Sequence, residues 1–358
     1  MKIGIDIRST LKKTRTGIGR YTINLVNALA GLDNVSHYYL YSRKKILDFK
    51  RRLLELPRAN FHHCADYFKK GPEKVLPSDI DIFHTSSYDL EKPKKARFIV
   101  TIHDVINKAY PHGHTERTIQ EIDARFEQVL PNADALVADS YNTKSDLVKF
   151  YDIPDSKIFV IYPGVDPLFK ARHVQDSTLD KEEYVLFVGT LEPRKNIDGL
   201  IRAFTWLKKK YGIKHKLYIV GMKGWMFEDI FKARDESEFK DDIVFKGRQP
   251  MESLEKLYQG ASVFAYPSFY EGFGLPIVEA FGCGVPVVTS RTSSCGEIGR
   301  DSALLIDPAN YNEIGEAIYK IINNKALKEE LIKKGVDRAR EFTWTRAARE
   351  FLSLFKEQ

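Results

Sequence analysis

The chain has few cysteines. Cys64, Cys283 and Cys295 are the three in 358 residues, and three thiols build no paired framework. That count excludes a small disulfide-stapled scaffold and suits a reducing cytosol. Long apolar runs are missing too: no stretch approaches the length a membrane helix needs. Met1-Lys2-Ile3-Gly4-Ile5-Asp6 reads as a strand and not as a signal peptide. There is no internal repeat and no low-complexity tract. The histidines lack zinc-ligand spacing: His62, His63 and Cys64 are adjacent, with His112 and His114 elsewhere, and neighbouring side chains on a strand point apart. A complete dinucleotide fingerprint is absent as well. Gly17-Ile18-Gly19 opens a helical pattern, but Thr22 stands where a third glycine is needed.

What is present is the composition of a soluble globular protein, 43% hydrophobic and 29% charged, with length enough for two domains. The net charge is +7, and all of it falls in the first half. Residues 1–172 carry 28 Lys+Arg against 21 Asp+Glu, and the remainder carries 28 against 28. Arg43, Lys44, Lys45, Lys50, Arg51, Arg52 and Arg58 alternate with Ile46, Leu47, Phe49, Leu53 and Leu54. Residues 43–58 therefore suit an amphipathic helix on an anionic membrane, and equally a solvated helix face. Aromatic interleaving of the kind single-stranded nucleic acid stacks on is not evident there, so no nucleic acid is expected.

Short apolar runs alternate with helical periodicity through both halves. In the first half, strands are expected at 3–7, 38–41, 80–84, 97–104, 135–138 and 157–162. Ser140 and Asn142 are cap candidates for a helix near Thr143. Pro163-Gly164-Val165-Asp166 opens a polar linker reaching about Glu183. In the second half, strands are expected at 184–188, 216–220, 243–245, 263–266, 285–289 and 303–306. Helical spacing closes the chain with Phe342, Trp344, Ala347, Phe351, Leu352 and Phe355. The expected fold class is α/β: two Rossmann-like doubly wound domains facing a cleft. Their expected limits are 1–165, the acceptor side, and 166–343, the nucleotide-sugar side, with the helix at 344–358 packing back on the first.

The most informative stretch runs from Val263 to Gly282. An apolar strand leads into a turn bearing Gly272 and Gly274, and Pro276 suits the first turn of the next helix. A helix start of this kind offers free N–H groups and a positive dipole end to phosphate. Glu271 and Glu279 flank that anion site, and sugar hydroxyls are good donors to carboxylates. The parts match ribose, diphosphate and hexose. A second loop, Gly189-Thr190-Leu191-Glu192-Pro193-Arg194-Lys195-Asn196, puts two cations at a helix start, where they oppose the dipole and want an anion. In the first half, His103 and Asp104 emerge at the carboxyl end of an apolar strand, where ligands gather in parallel sheets.

Glu271-Gly272-Phe273-Gly274-Leu275-Pro276 followed by Glu279-Ala280 resembles the E-x7-E signature of retaining glycosyltransferases with the GT-B fold, in the family 4 clan. The resemblance is specific over about 184–308. It implies that Glu271 contacts the donor sugar and Glu279 the ribose, with amides near Gly272, Phe273, Gly274 and Leu275 on sugar or phosphate oxygens. It implies that Lys195 grips the diphosphate, with Arg194 beside it, and that Arg248 and Gln249 lie at the nucleobase. It further implies that Gly17 and Gly19 line the cleft and that His103 points at the donor sugar. His103, Lys195 and Glu271 are the catalytic candidates. Asp-x-Asp motifs hold a metal in glycosyltransferases of the GT-A type. None is read in either half, and Lys195 with the helix start could do that work, so neither a metal nor a cofactor is expected. The loop looks most like those of mannosyltransferases using GDP-mannose. The expected enzyme moves a hexose from such a donor to a glycan or lipid-linked acceptor, in the cytoplasm and at the inner face of the membrane if the basic stretch binds lipid. A GT-B sugar-nucleotide epimerase and a basic membrane or nucleic-acid module are the alternatives.

Overall fold

The computed structural model describes residues 1–11, 17–43, 54–169 and 183–357. The chain divides into two compact units. The first comprises Met1–Asn107, Thr115–Gly164 and Thr343–Gln358; the second comprises Lys108–His114 and Val165–Phe342.

Among the described residues the first unit holds seven strands: β1 (Lys2–Asp6), β2 (His37–Arg43), β3 (Phe61–Asp66), β4 (Ile82–Thr85), β5 (Arg97–Ile102), β6 (Ala135–Ala138) and β7 (Ile158–Val160). They form one parallel sheet in the order β3-β2-β1-β4-β5-β6-β7. The chain winds outward from β1 and then reverses at β4, which makes the β1/β4 boundary a topological switch. Strand β3 was not expected. It carries His62, His63 and Cys64, and its middle residues are only half-buried, so no apolar run marked it. It lies at the sheet edge, where one flank needs no burial.

The last helix, Trp344–Lys356, belongs to this first unit. Trp344, Ala347, Ala348, Phe351, Leu354 and Phe355 recur at helical spacing and are buried against Ile3 and Ile5 of β1 and Tyr21, Leu25 and Leu29 of the helix Gly17–Leu32. Thr343 caps the helix by accepting from the Arg346 N–H at 3.2 Å. At its other end Arg97 donates to the Leu354 and Glu357 carbonyls at 2.6 and 2.7 Å. Gly164 is required where the chain passes the helix start, because a Cβ there would lie 2.2 Å from the Trp344 nitrogen. Phe351 is fully buried and edge-on to His84. Phe351→Ala is expected to cost about 3–5 kcal/mol in urea unfolding. A loss below about 1 kcal/mol would contradict this packing.

The second unit holds β8 (Tyr184–Val188), β9 (Lys216–Val220), β10 (Ile243–Gly247), β11 (Val263–Tyr266), β12 (Val287–Ser290) and β13 (Ala303–Ile306). The sheet is again parallel, ordered β10-β9-β8-β11-β12-β13. Its winding reverses between β8 and β11. The two loops singled out in this half are those that leave β8 and β11, so they meet at the switch.

One short segment lies in a different unit from the one expected. Lys108–His114 falls inside the span 1–165, yet it is part of the second unit. Tyr110 stacks on Phe269 with ring centroids 5.6 Å apart, and His114 stacks on Trp225 at 4.5 Å. The Trp225 indole N–H donates to the Gly113 carbonyl at 2.5 Å. No local pattern announces such an excursion, since these stacking and hydrogen-bond partners lie more than a hundred positions away.

Most of the basic cluster, Lys44 to Leu53, lies outside the described residues. Within them, Arg43 sits 3.8 Å from Asp66. Among the described residues no helix is long and apolar enough to cross a membrane.

Candidate active site

Local backbone constraints shape the β8 loop. At Gly221, after β9, a Cβ would lie 1.7 Å from the Gly189 carbonyl oxygen, so glycine is required for the two strand ends to pass. The loop then makes a short 3-10 turn, Pro193–Lys195, and Asn196 adopts a left-handed conformation with φ 53°. Asn196 tolerates it because its side chain bonds across the sheet edge, donating to the Pro267 and Pro308 carbonyls at 3.1 and 2.6 Å. The helix Ile197–Tyr211 follows. The Phe269 N–H donates to the Arg194 carbonyl at 2.8 Å, which binds the β11 loop to the β8 loop.

These links bring Glu192, Arg194, Lys195, Tyr266 and Glu271 into one cluster. Lys195 Nζ donates to Glu271 Oε1 and to the Tyr266 hydroxyl, each at 2.5 Å. Tyr266 in turn donates to Glu271 Oε1 at 2.9 Å. Arg194 Nη1 donates to Glu271 Oε2 at 2.6 Å, and its Nε pairs with Glu192 Oε1 at 2.6 Å. Acid and base therefore alternate: Glu192, Arg194, Glu271, Lys195. The backbone of Glu271 is held as well, its N–H donating to Ser293 Oγ at 3.2 Å and its carbonyl accepting from Ser294 Oγ at 2.8 Å.

Burial alone would raise the Glu271 pKa, but Arg194 and Lys195 outweigh it and hold the carboxyl down to about 2. Lys195 is pulled below its ordinary value by burial and by the neighbouring Arg194, against the pull of Glu271 and Glu192. Burial and the adjacent Glu271 carry Tyr266 well above the usual phenol range, so it remains a donor. The sequence reading left the two loop cations needing an external anion. Glu192 and Glu271 already serve as their counter-ions; the sequence could not show the part of Glu271, which lies 77 and 76 residues from Arg194 and Lys195 along the chain.

Glu279 lies one turn into the helix Leu275–Gly282 and is 4% exposed. Its Oε2 accepts from the Tyr258 hydroxyl at 2.9 Å, which satisfies the carboxylate on that apolar face. Gly274 begins this helix with φ 100°, a conformation that favours glycine. Gly272 is buried, Leu275 half-buried. Phe273 is buried edge-on against Phe342 at 5.5 Å, so its side chain is a packing group. Arg248 is exposed after β10, while Gln249 turns back to donate to the Lys246 carbonyl at 2.5 Å. Gly17 starts its helix with open space where a Cβ would be; Gly19 is buried within the same helix.

In the first unit His103 follows β5, and its Nδ1 lies 2.6 Å from Asp139 Oδ2 at the end of β6. Tyr21 stands edge-on to the imidazole at 4.8 Å. Asp104 Oδ1 accepts from the Ile106 N–H at 3.3 Å, a local capping bond. Sequence reasoning missed Asp139, Glu192, Tyr258 and Tyr266. Asp139 and Tyr266 each sit at the carboxyl edge of an expected strand, the one available signal. Tyr258 lies on the helix Met251–Gln259, and nothing local relates it to Glu279.

Asp-x-Asp spacing does occur once, at Asp79-Ile80-Asp81. Asp79 is ion-paired with Lys2, and Asp81 accepts the Lys2 backbone N–H at 2.8 Å, so both acids fasten β1. Among the described residues no group of three or more His, Cys, Asp or Glu is placed to hold a metal ion.

Residues 15–168 match the model of glycosyltransferase family 4, and residues 169–338 match that of the group 1 glycosyl transferases. The chain is 27% identical to O-antigen chain mannosyltransferase B of Escherichia coli, over 99% of this chain and 100% of that protein. It spans only 28% to 34% of the length of three matched serotype-specific mannosyltransferases of the same organism. Among solved structures, sucrose-phosphate synthase of Thermosynechococcus elongatus superposes with a TM-score of 0.78 at 20% identity, covering 99% of this chain and 98% of that one. HepE of Anabaena, solved with UDP and glucose, superposes with a TM-score of 0.75 at 17% identity, covering 99% of each chain. With both halves matched, the chain belongs to the group 1, family 4 glycosyltransferases, enzymes of the GT-B fold.

Proposed function

We propose that the protein is a retaining mannosyltransferase, moving mannose from GDP-mannose to a glycan or lipid-linked acceptor without a bound metal or cofactor. The observation that carries this reading is the Arg194–Glu271–Lys195 cluster at the β8/β11 switch, beside the N-terminus of the helix Leu275–Gly282. Two cations and a helix start are suited to a diphosphate, and Glu271 and Glu279 to hydroxyls. The mannosyltransferase names among the relatives support the sugar. The name of the full-length relative supports a polysaccharide acceptor.

In this mechanism the bond between the anomeric carbon and the diphosphate oxygen breaks while the acceptor oxygen attacks the same face. The acceptor's proton passes to the departing phosphate oxygen. Glu271 is already committed to two cations, which leaves it poorly placed as a covalent nucleophile. Lys195 and Arg194 stabilise charge on the leaving group, the role a metal would otherwise take. His103 is assigned to the transferred sugar, and Arg248 and Gln249 to the base. Contact of residues 43–58 with an anionic membrane belongs to the same proposal; sedimentation with anionic vesicles tests it.

The deciding experiment follows GDP release from GDP-mannose with an acceptor panel and reads the product anomer by NMR. Retained configuration with no trapped glycosyl–enzyme adduct is expected. An inverted product, or an epimerised nucleotide sugar with no transfer, overturns the reading. In calorimetry Glu279→Ala is expected to weaken GDP binding by about 1.5–3 kcal/mol. Unchanged affinity would remove Glu279 from the ribose.

A further inference from the structure

We propose that Asp139 is a positioning residue for His103, holding the imidazole with Nδ1–H on its carboxylate and leaving Nε2 as the working atom. The inference rests on the assignment of His103 to the transferred sugar. Strands β5 and β6 are parallel with Ile102 opposite Ala138, so His103 and Asp139 are the next residues past paired strand ends. The sheet register itself sets the 2.6 Å contact. Asp139 is buried and His103 half-buried, and the Nε2 atom of His103 is itself buried with no hydrogen-bond partner among the described residues. A buried, unpartnered ring nitrogen beside a fully bonded one is an arrangement that leaves a single atom for a ligand.

The ring is fixed from other sides. Tyr21 packs edge-on against it, and Trp344 of the last helix packs edge-on against Tyr21 at 5.3 Å. The His103 backbone N–H donates to the Tyr88 hydroxyl at 3.3 Å. The titratable groups around it are Asp139, Asp104, His84, Tyr21 and Tyr88. Burial lowers the His103 pKa, but Asp139, with help from Asp104, more than offsets it and carries it above 6.5. Burial and the His103 charge push His84 down to about 3, so that ring stays neutral and does not compete for the proton. With the pKa raised, the imidazolium persists as pH rises and Nε2–H serves as a donor. Removing the Asp139 charge must move its loss to lower pH.

The test uses the full chain labelled with 15N-histidine, as wild type, Asp139→Asn, Asp139→Glu and His103→Gln. Histidine titrations are read by NMR, and GDP release from GDP-mannose is followed against pH. Asp139→Asn is expected to titrate His103 at lower pH and to shift the alkaline limb of kcat the same way. It should lose roughly 10- to 100-fold in kcat above neutrality, with partial recovery in Asp139→Glu. If Asp139→Asn keeps both the titration and the pH profile of wild type while His103→Gln is impaired, the role of Asp139 is overturned and that of His103 stands. If His103→Gln turns over like wild type, the His103 assignment falls and the Asp139 proposal falls with it.

Discussion

Replacing Lys195 with alanine is expected to lower kcat by roughly 10²–10³-fold, the loss typical of removing one preorganised stabiliser of developing charge. The argument is positional. Lys195 is buried, sits at the switch between β8 and β11, and is aimed by two contacts, Glu271 and Tyr266. Its ammonium cannot swing away, so little reorganisation is needed as charge builds on the leaving phosphate. The substitution should be tolerated by the fold, since Glu271 keeps Arg194 at 2.6 Å and the Tyr266 hydroxyl. The ionisation of Lys195 adds a signature. Burial and Arg194 lower its pKa, and only the ammonium attracts a diphosphate. Nucleotide affinity should therefore fall as pH rises through that lowered value, and Lys195→Ala should abolish this dependence. Wild-type kcat in the variant would exclude Lys195 from the reaction.

Glu271→Ala should cost as much stability as a core truncation. It leaves Lys195 and Arg194 buried side by side without their shared counter-ion, and breaking a buried pair from one side costs about 3–5 kcal/mol. The sign of the pH dependence follows from the carboxyl. Its folded pKa is held down to about 2, below its unfolded value near 4.3. The stabilisation is complete above the unfolded value and is lost as pH falls toward 2. Urea unfolding at pH 7 and at pH 3 measures both: wild type should lose stability between them, and Glu271→Ala should lose less. Equal stability of the two proteins at pH 7 would show that the ion cluster carries no folding energy. Adding GDP should rescue the variant less than the wild type, because ligand stabilisation scales with affinity.

Among the described residues, the alternation of apolar runs and helical spacing was enough to place twelve of the thirteen strands and the return of the last helix, because a strand buried on both faces must be apolar and a packed helix must repeat every three to four residues. The loops after β8 and β11 were equally legible, since glycine, proline and charge mark them locally. Strand β3 was not, because an edge strand with half-buried histidines needs no apolar run. The excursion Lys108–His114 was not, because ring stacking across the chain leaves no periodic trace.

The candidates His103, Lys195, Glu271 and Glu279 were thus named from the sequence alone. How they are paired was decided only by the tertiary structure. Glu271 became the counter-ion of Lys195 and Arg194 through the switch between β8 and β11, and Asp139 became the partner of His103 through the register of β5 on β6. Hydrogen bonds form across a few ångströms whatever the sequence separation, so only the strand order and register of a finished sheet can specify them.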